Sequence, residues 1–250
     1  MHILISNDDG IFAPGIRALA LAAHAAGHRV TVFAPDRQRS AAGHSATISA
    51  PLHALPVEYE NGIEAYSVDG TPADCVRLGL YLLRDRQPDC VLTGINRGPN
   101  RGAAIIYSGT VGSAMEGALC GLPAAAVSLC AQRDDGYETA ARYGVRLAEW
   151  MMCNPLPLGE VYNLNVPDGE VRGVRSACIS NEYIFAPDFV REGDGYVMTY
   201  GPEILPETSE DSDLNICRCG YASLSIISWN MLARTAMPDL AALSRAVETI

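Results

Sequence analysis

Residues 2–6, HILIS, form a short apolar run, and residues 29–35, RVTVFAP, form another. Between them Pro14 stands where a helix begins, Ile16, Leu19, Ala20 and Ala23 recur at helical spacing, and Gly27 supplies the cap. Strand, helix and strand so closely spaced leave one economical arrangement, two parallel strands joined by a helical crossover. The pattern then repeats. TPADCVRLGLYLL (71–83) has a Thr N-cap with Pro at the first helical position, and DCVLTGI (89–95) is apolar enough for a strand buried on both faces. A helix over 109–121, a strand over 123–129, a helix over 137–152 and a strand over 161–167 continue the series. The expected fold class is α/β, a doubly wound, mostly parallel sheet.

Two stretches break the rhythm. Residues 35–49 are polar and rich in Gly, Ala and Ser, too long for a plain connection, and read as a functional loop. Residues 46–68 read as a hairpin turning at Asn61-Gly62. From about residue 173 the chain becomes strand-like and irregular, and MPDLAALSRAVETI (237–250) reads as a terminal helix. The expected organisation is a catalytic core over 1–172 and a β-rich extension with a closing helix over 173–250.

A formal charge of −11 argues against a nucleic-acid groove, which needs clustered Lys and Arg. It leaves room for a small phosphorylated substrate, since a cation and a few N–H groups hold one phosphate locally. No run of about 18 apolar residues suggests a membrane span, and acidic residues follow the first apolar run at once, where a secretory segment would continue. The eight cysteines are scattered, with only Cys217 and Cys219 close together, so reduced, mostly buried thiols in a cytoplasmic protein are expected.

Ligands of open parallel sheets bind at the carboxyl ends of the strands. Asn7-Asp8-Asp9-Gly10 ends the first strand, the loop with Ser40 and His44 follows the second, and GINRGPN (94–100) ends the run from Asp89. Topology therefore gathers Asp8, Asp9, Ser40 and Asn96 on one rim. Two carboxylates, a hydroxyl and an amide oxygen form the all-oxygen set that Mg²⁺, Mn²⁺ or Ca²⁺ prefers, and the lack of Cys or His argues against structural zinc. A dication would also convert the mutual repulsion of Asp8 and Asp9 into shared attraction. The competing reading is a plain turn, because Asn, Asp and Gly are common turn formers.

In YSGTVGSAMEGALCG (107–121), Gly109, Ser113, Gly117 and Gly121 recur every fourth residue, a nearly bare helical face able to approach another backbone. The helix start at Ser108, Gly109 and Thr110 offers N–H groups and hydroxyls at the positive end of the dipole, a phosphate cradle without the lysine of a P-loop. His44, Arg37 and Arg39 read as ordinary loop residues, Asp74 as a first-turn carboxylate, and Asn100 as a turn residue or substrate contact. Glu116 stands mid-helix with no partner evident.

The blocks MHILISNDDGIFAPGIRALA, APDRQRSAAGHSATI, DGTPADCVRLGL, TGINRGPN and IYSGTVGSAMEG, in that order, resemble the SurE family of stationary-phase survival proteins. The resemblance runs through roughly the first 165 residues and weakens after them, where CRC replaces the usual residues. It implies a Rossmann-like core and a 5'/3'-nucleotidase that hydrolyses nucleoside monophosphates, with other phosphomonoesters or short polyphosphate as further substrates. It implies one divalent metal ion, Mg²⁺ or Mn²⁺, on Asp8, Asp9, Ser40 and Asn96, and phosphate beside Ser108, Gly109 and Thr110. It also implies a homodimer or homotetramer assembled through the C-terminal part. The expected chemistry is in-line attack by an activated water; a covalent phosphate on Asp8 is the alternative role for that residue. A nucleotide sensor that turns nothing over is the rival from another class, and a nucleotide-sugar enzyme would need a second domain for which the chain is short.

Overall fold

A computed structural model describes residues 1–131, 136–204 and 209–230. One sheet of nine strands runs β3 (Ala54–Pro56), β4 (Glu64–Val68), β2 (Arg29–Pro35), β1 (His2–Ser6), β5 (Cys90–Arg97), β6 (Ala124–Cys130), β7 (Glu160–Pro167), β11 (Ala222–Ser228), β8 (Val174–Ser176). The central run from β4 to β7 is parallel throughout, while β3 pairs antiparallel with β4, and β11 antiparallel with β7 but parallel with β8. β1 pairs with β2 on one side and β5 on the other, so the winding reverses beside β1. A reversal of this kind opens a crevice at the carboxyl ends of the two strands.

Period-two alternation in β1 divides the core. Ile3 and Ile5 join the cluster under α1 (Pro14–Ala25) and α5 (Tyr137–Cys153). Leu4 joins the cluster under α2 (Pro72–Leu82) and α4 (Gly109–Leu119), with Phe33, Val76 and Val91. All three β1 side chains are fully buried, each worth about 1.5–3 kcal/mol over exposure.

The structure departs from the sequence reading in several places. The hairpin pairs only Ala54–Pro56 with Glu64–Val68, because residues 45–47 dock instead on the start of α2. Its turn does use Asn61 and Gly62, both at positive φ, 54° and 68°. A short helix, α3 (Ala104–Tyr107), precedes α4. Another, α6 (Asp213–Arg218), forms inside the stretch that reads as strand-like and irregular, because Ser212 caps it by accepting from the Asn215 N–H at 3.2 Å. The strands β8 and β11 of the extension continue the core sheet, while β9 (Glu182–Glu192) and β10 (Gly195–Ile204) form a separate antiparallel hairpin. The terminal helix expected over 237–250 lies outside the described residues. Finally, the cysteines are not mostly buried: Cys75, Cys90 and Cys217 are, Cys130 is half-buried, and Cys120, Cys153, Cys178 and Cys219 are exposed. The exposed four sit at helix ends or in connections, beyond the apolar positions that face the core.

Candidate active site

Asn7 shapes the turn after β1. Its side chain donates to the Gly10 carbonyl at 3.0 Å and accepts from the Gly10 N–H at 3.2 Å, locking the reversal that carries Asp8 and Asp9. The two carboxylates then diverge. Asp8 is buried and turns to α4, where the Thr110 hydroxyl donates to its Oδ1 at 2.5 Å and the N–H groups of Gly109 and Thr110 face it. Asp9 turns to the end of β5 and accepts from the Arg97 N–H at 3.2 Å. Adjacent acids are tolerable here because each has its own donors. Burial nevertheless pushes the Asp8 carboxyl up, against the lowering effect of Thr110 and the helix N–H groups.

Asn96 arrives through an irregularity. The β5–β6 register shifts between Thr93 and Asn96, and Gly94 at φ +128° passes so close to Val127 that a Cβ would lie 2.3 Å from its carbonyl oxygen. Bulges of this kind re-aim the side chains beyond them. The Asn96 amide nitrogen then donates to the Gly98 carbonyl at 2.8 Å, which leaves the amide oxygen as the atom for an electropositive partner.

Ser40 lies in the loop after β2, tied to the first turn by the Arg39 N–H, which donates to the Asp8 carbonyl at 2.7 Å. Its hydroxyl accepts from the Gln38 amide at 2.8 Å. Further along, Gly43 donates its N–H to the Tyr107 carbonyl at 2.9 Å, and Thr47 places N–H and hydroxyl on Asp74 at 2.9 and 2.7 Å. Asp74 is therefore more than a first-turn carboxylate: it closes a capping box with Thr71 and also anchors the loop.

Ser108 caps α4, accepting from the Val111 N–H at 3.1 Å, and is buried with Gly109 and Thr110. The close backbone approach occurs at Gly112, where a Cβ would meet the Gly43 carbonyl oxygen at 2.7 Å and the His44 Cα at 3.0 Å. The expected bare face over 109, 113, 117 and 121 packs differently. Gly109 meets the Asp8 side chain, Gly117 meets Val91, and Gly121 follows the helix with nothing within 4 Å. The glycine stripe faces side chains because β5 lies beneath it, whereas the loop crosses one row over.

Sequence reasoning missed Glu116. Buried in α4, it accepts from His44 at 2.8 Å and from the Arg77 Nε at 2.6 Å. Burial pushes its carboxyl up, but the His44 and Arg77 hydrogen bonds outweigh this and hold it below its usual range. The available signal was a carboxylate inside an otherwise apolar helical stretch. Arg37 stays at the surface beside Asp36, while the Arg39 guanidinium binds Asp36 and the Asp69 carbonyl. Asn100 is buried in a network with Ser128, Asn163 and Asn165 and is structural here.

The rim thus presents two carboxylates, a hydroxyl and an oriented amide oxygen on three neighbouring connections, and a cleft of about 210 Å³ opens beside Asp9, lined also by Gln38, Arg97 and Tyr137. The donor types are those a hard divalent cation takes, and in Asn96 it is the nitrogen, not the oxygen, that is committed to Gly98.

Comparison with known proteins agrees with this architecture. The family described as "Survival protein SurE" matches residues 3–185. A protein of Gloeobacter violaceus named "5'-nucleotidase SurE" is 44% identical over 240 residues, 92% of this chain and 91% of its own length. Another of that name from Methylococcus capsulatus is 50% identical over 179 residues, 70% of this chain and 69% of its own. The crystal structure of the SurE protein from Aquifex aeolicus superimposes with a TM-score of 0.81 at 33% identity, covering 98% of this chain and 100% of that one. Matched in sequence through its site-bearing blocks and in fold from end to end, the chain belongs to the SurE family.

Proposed function

We propose that this protein is a metal-dependent phosphomonoesterase hydrolysing nucleoside 5'- and 3'-monophosphates to nucleoside and phosphate by in-line attack of water. The observation that carries the reading is the meeting of Asp8 with the start of α4, with Asp9 beside it on the same turn, at the reversal beside β1. Relatives that cover most of the chain and bear the name 5'-nucleotidase support the substrate class. One divalent ion, Mg²⁺ or Mn²⁺, would be held by Asp8, Asp9, Ser40 and Asn96, and would supply charge neutralisation at the phosphoryl oxygens and a more acidic water.

The residues of the chain divide the remaining work. Phosphate lies beside Ser108, Gly109 and Thr110 at the N-terminus of α4, whose positive end opposes charge on the equatorial oxygens. Asp8, with an oxygen committed to Thr110, is poorly placed to act as a nucleophile and serves to position. Asp9, half-buried beside the cleft, orients the attacking water. Asn96 and Ser40 fix the reacting group from the other two connections. Other phosphomonoesters and short polyphosphate fit the same phosphate-centred recognition. The 1–172 core carries this chemistry in our reading, and the 173–250 extension mediates a homodimer or homotetramer. A cytoplasmic location accords with the absence, among the described residues, of a helix long and apolar enough to cross a membrane.

Phosphate release from AMP with Mn²⁺, with and without chelator, tests the proposal directly. Turnover that survives both chelation and Asp9→Asn would end it, and tight AMP binding without any release would mark a sensor instead.

A further inference from the structure

Away from the phosphate cradle, two thiols meet. The Cys130 thiol, at the end of β6, donates to the Cys217 sulfur of α6 across 3.8 Å, although the residues are 87 positions apart. Cys217 is buried, within 3.4 Å of the Ser223 hydroxyl and 3.7 Å of the Asn165 carbonyl, whereas Cys130 is half-buried. Both belong to the rim. Gly98 donates its N–H to Leu129 at 2.9 Å, and Asn96 pairs with Ser128 in the sheet, so β6 flanks the Asn96 turn up to the residue before Cys130. α6 is docked to the segment that follows this turn by Asp213, which accepts from the Gly102 N–H at 3.2 Å, and also from the Ser180 N–H at 3.0 Å.

We propose that Cys130 and Cys217 are a reversible disulfide site whose oxidant is a small-molecule disulfide, and that closing it braces α6 against the strand beside the Asn96 turn. A disulfide needs sulfurs about 2.05 Å apart, so closure asks for a shift of under about 2 Å between groups already in contact. The hydrogen bond from Cys130 and the nearby Arg101 guanidinium hold the Cys217 thiol below its usual range, against burial, while Cys130 is pushed up. Cys130 is the sulfur that a solvent-borne disulfide reaches. It gives its proton to solvent and attacks one sulfur of the reagent, and the first thiolate leaves. Cys217 then gives up a proton and attacks the Cys130 sulfur, expelling the second thiolate. The two protein thiols lose two electrons and two protons, and the reagent leaves as two thiols.

The site does not depend on the nucleotidase reading, and its primary test does not use activity. The full chain is incubated with oxidised glutathione, blocked with an alkylating reagent, digested without reductant and read by mass spectrometry. The expected result is a Cys130–Cys217 linked peptide, reversed by dithiothreitol and absent in Cys130→Ser and, separately, in Cys217→Ala. It persists in a variant with Cys120, Cys153, Cys178 and Cys219 replaced by Ser. Closing so long a loop should raise the melting temperature on the order of 5–10 °C. Alkylation of both thiols in the folded wild type, a Cys217–Cys219 link in place of the expected one, or a lower melting temperature on oxidation would each overturn the proposal.

Discussion

Replacing Gly112 by Ala pits helix propensity against the loop that carries Ser40. In isolation the change should help, since Ala is favoured over Gly inside a helix by about 0.8–1.0 kcal/mol. The added methyl would lie 2.7 Å from the Gly43 carbonyl oxygen and 3.0 Å from the His44 Cα, both backbone atoms. Ordinary contact begins at 3.4 Å, so the loop must retreat by about 0.7 Å. Overpacking of this kind costs about 1–3 kcal/mol, so the net loss of stability should stay under about 2 kcal/mol. The loop cannot simply lift away. It is pinned at Gly43 to Tyr107, at His44 to Glu116 and at Thr47 to Asp74, so the displacement passes toward Ser40. A misplacement of about 1 Å at a positioning group can cost about 10²-fold in rate, so we expect kcat/KM on AMP to fall at least about 10-fold. Mn²⁺ affinity measured by calorimetry should weaken with it. Gly144→Ala in α5 is the matched control, with the same gain in propensity. Its new methyl meets the core side chains of Leu19 and Val127 at 3.1 Å and no loop backbone, so repacking falls on the core and activity should be unchanged. A Gly112→Ala protein with wild-type Mn²⁺ affinity and kcat/KM would refute the idea that this close approach places Ser40.

Two further changes separate stability from function. Burial raises the folded pKa of Asp8 above its usual 3.8, so the ionised side chain costs stability that is regained only as pH falls to its unfolded value. Metal-free Asp8→Asn should therefore melt higher than wild type at neutral pH, with the gap closing near pH 3.8, while releasing no phosphate; a lower melting point would contradict this. Glu116 is the opposite case: its folded pKa lies below 4.5, so its stabilisation is present above that pH and is lost as pH falls through the folded value. Glu116→Gln should cost about 1–3 kcal/mol at pH 7, less than a fully buried pair because the Arg77 side chain is 67% exposed. Urea melts across pH would show that difference shrinking below about pH 4.5, and a pH-independent difference would show that the ionised carboxylate is not what stabilises.

The strands, helices and their alternation were legible because burial on both sheet faces imposes long apolar runs, and helices facing the sheet impose a near four-residue repeat. From the alternation followed the rim, and from the rim the proposal that Asp8, Asp9, Ser40 and Asn96 share one ion. What stayed hidden depends on contacts remote in sequence. Glu116 takes its partners from 72 and 39 positions away, and no local pattern announces a pairing of that reach. The glycine stripe misdirected for a related reason: it marks a crowded helix face but does not say which neighbour does the crowding. The short α6 was obscured by its acidic surroundings, and a serine cap three residues before Asn215 decided it.

In the mechanism we propose, adjacency gives Asp8 and Asp9 separate tasks because the backbone forces neighbouring side chains apart. The turn locked by Asn7 sends one carboxylate into the start of α4 and leaves the other beside the cleft. Asp8 thereby satisfies donors that would otherwise be buried without partners, and it holds the helix terminus at a fixed distance from β1. Asp9, freed from that duty, lies beside the cleft, where in our proposal it orients the water. A single residue inserted between them would place both side chains on one face, forfeiting the division of labour, and the spacing is therefore part of the mechanism as much as the acids themselves.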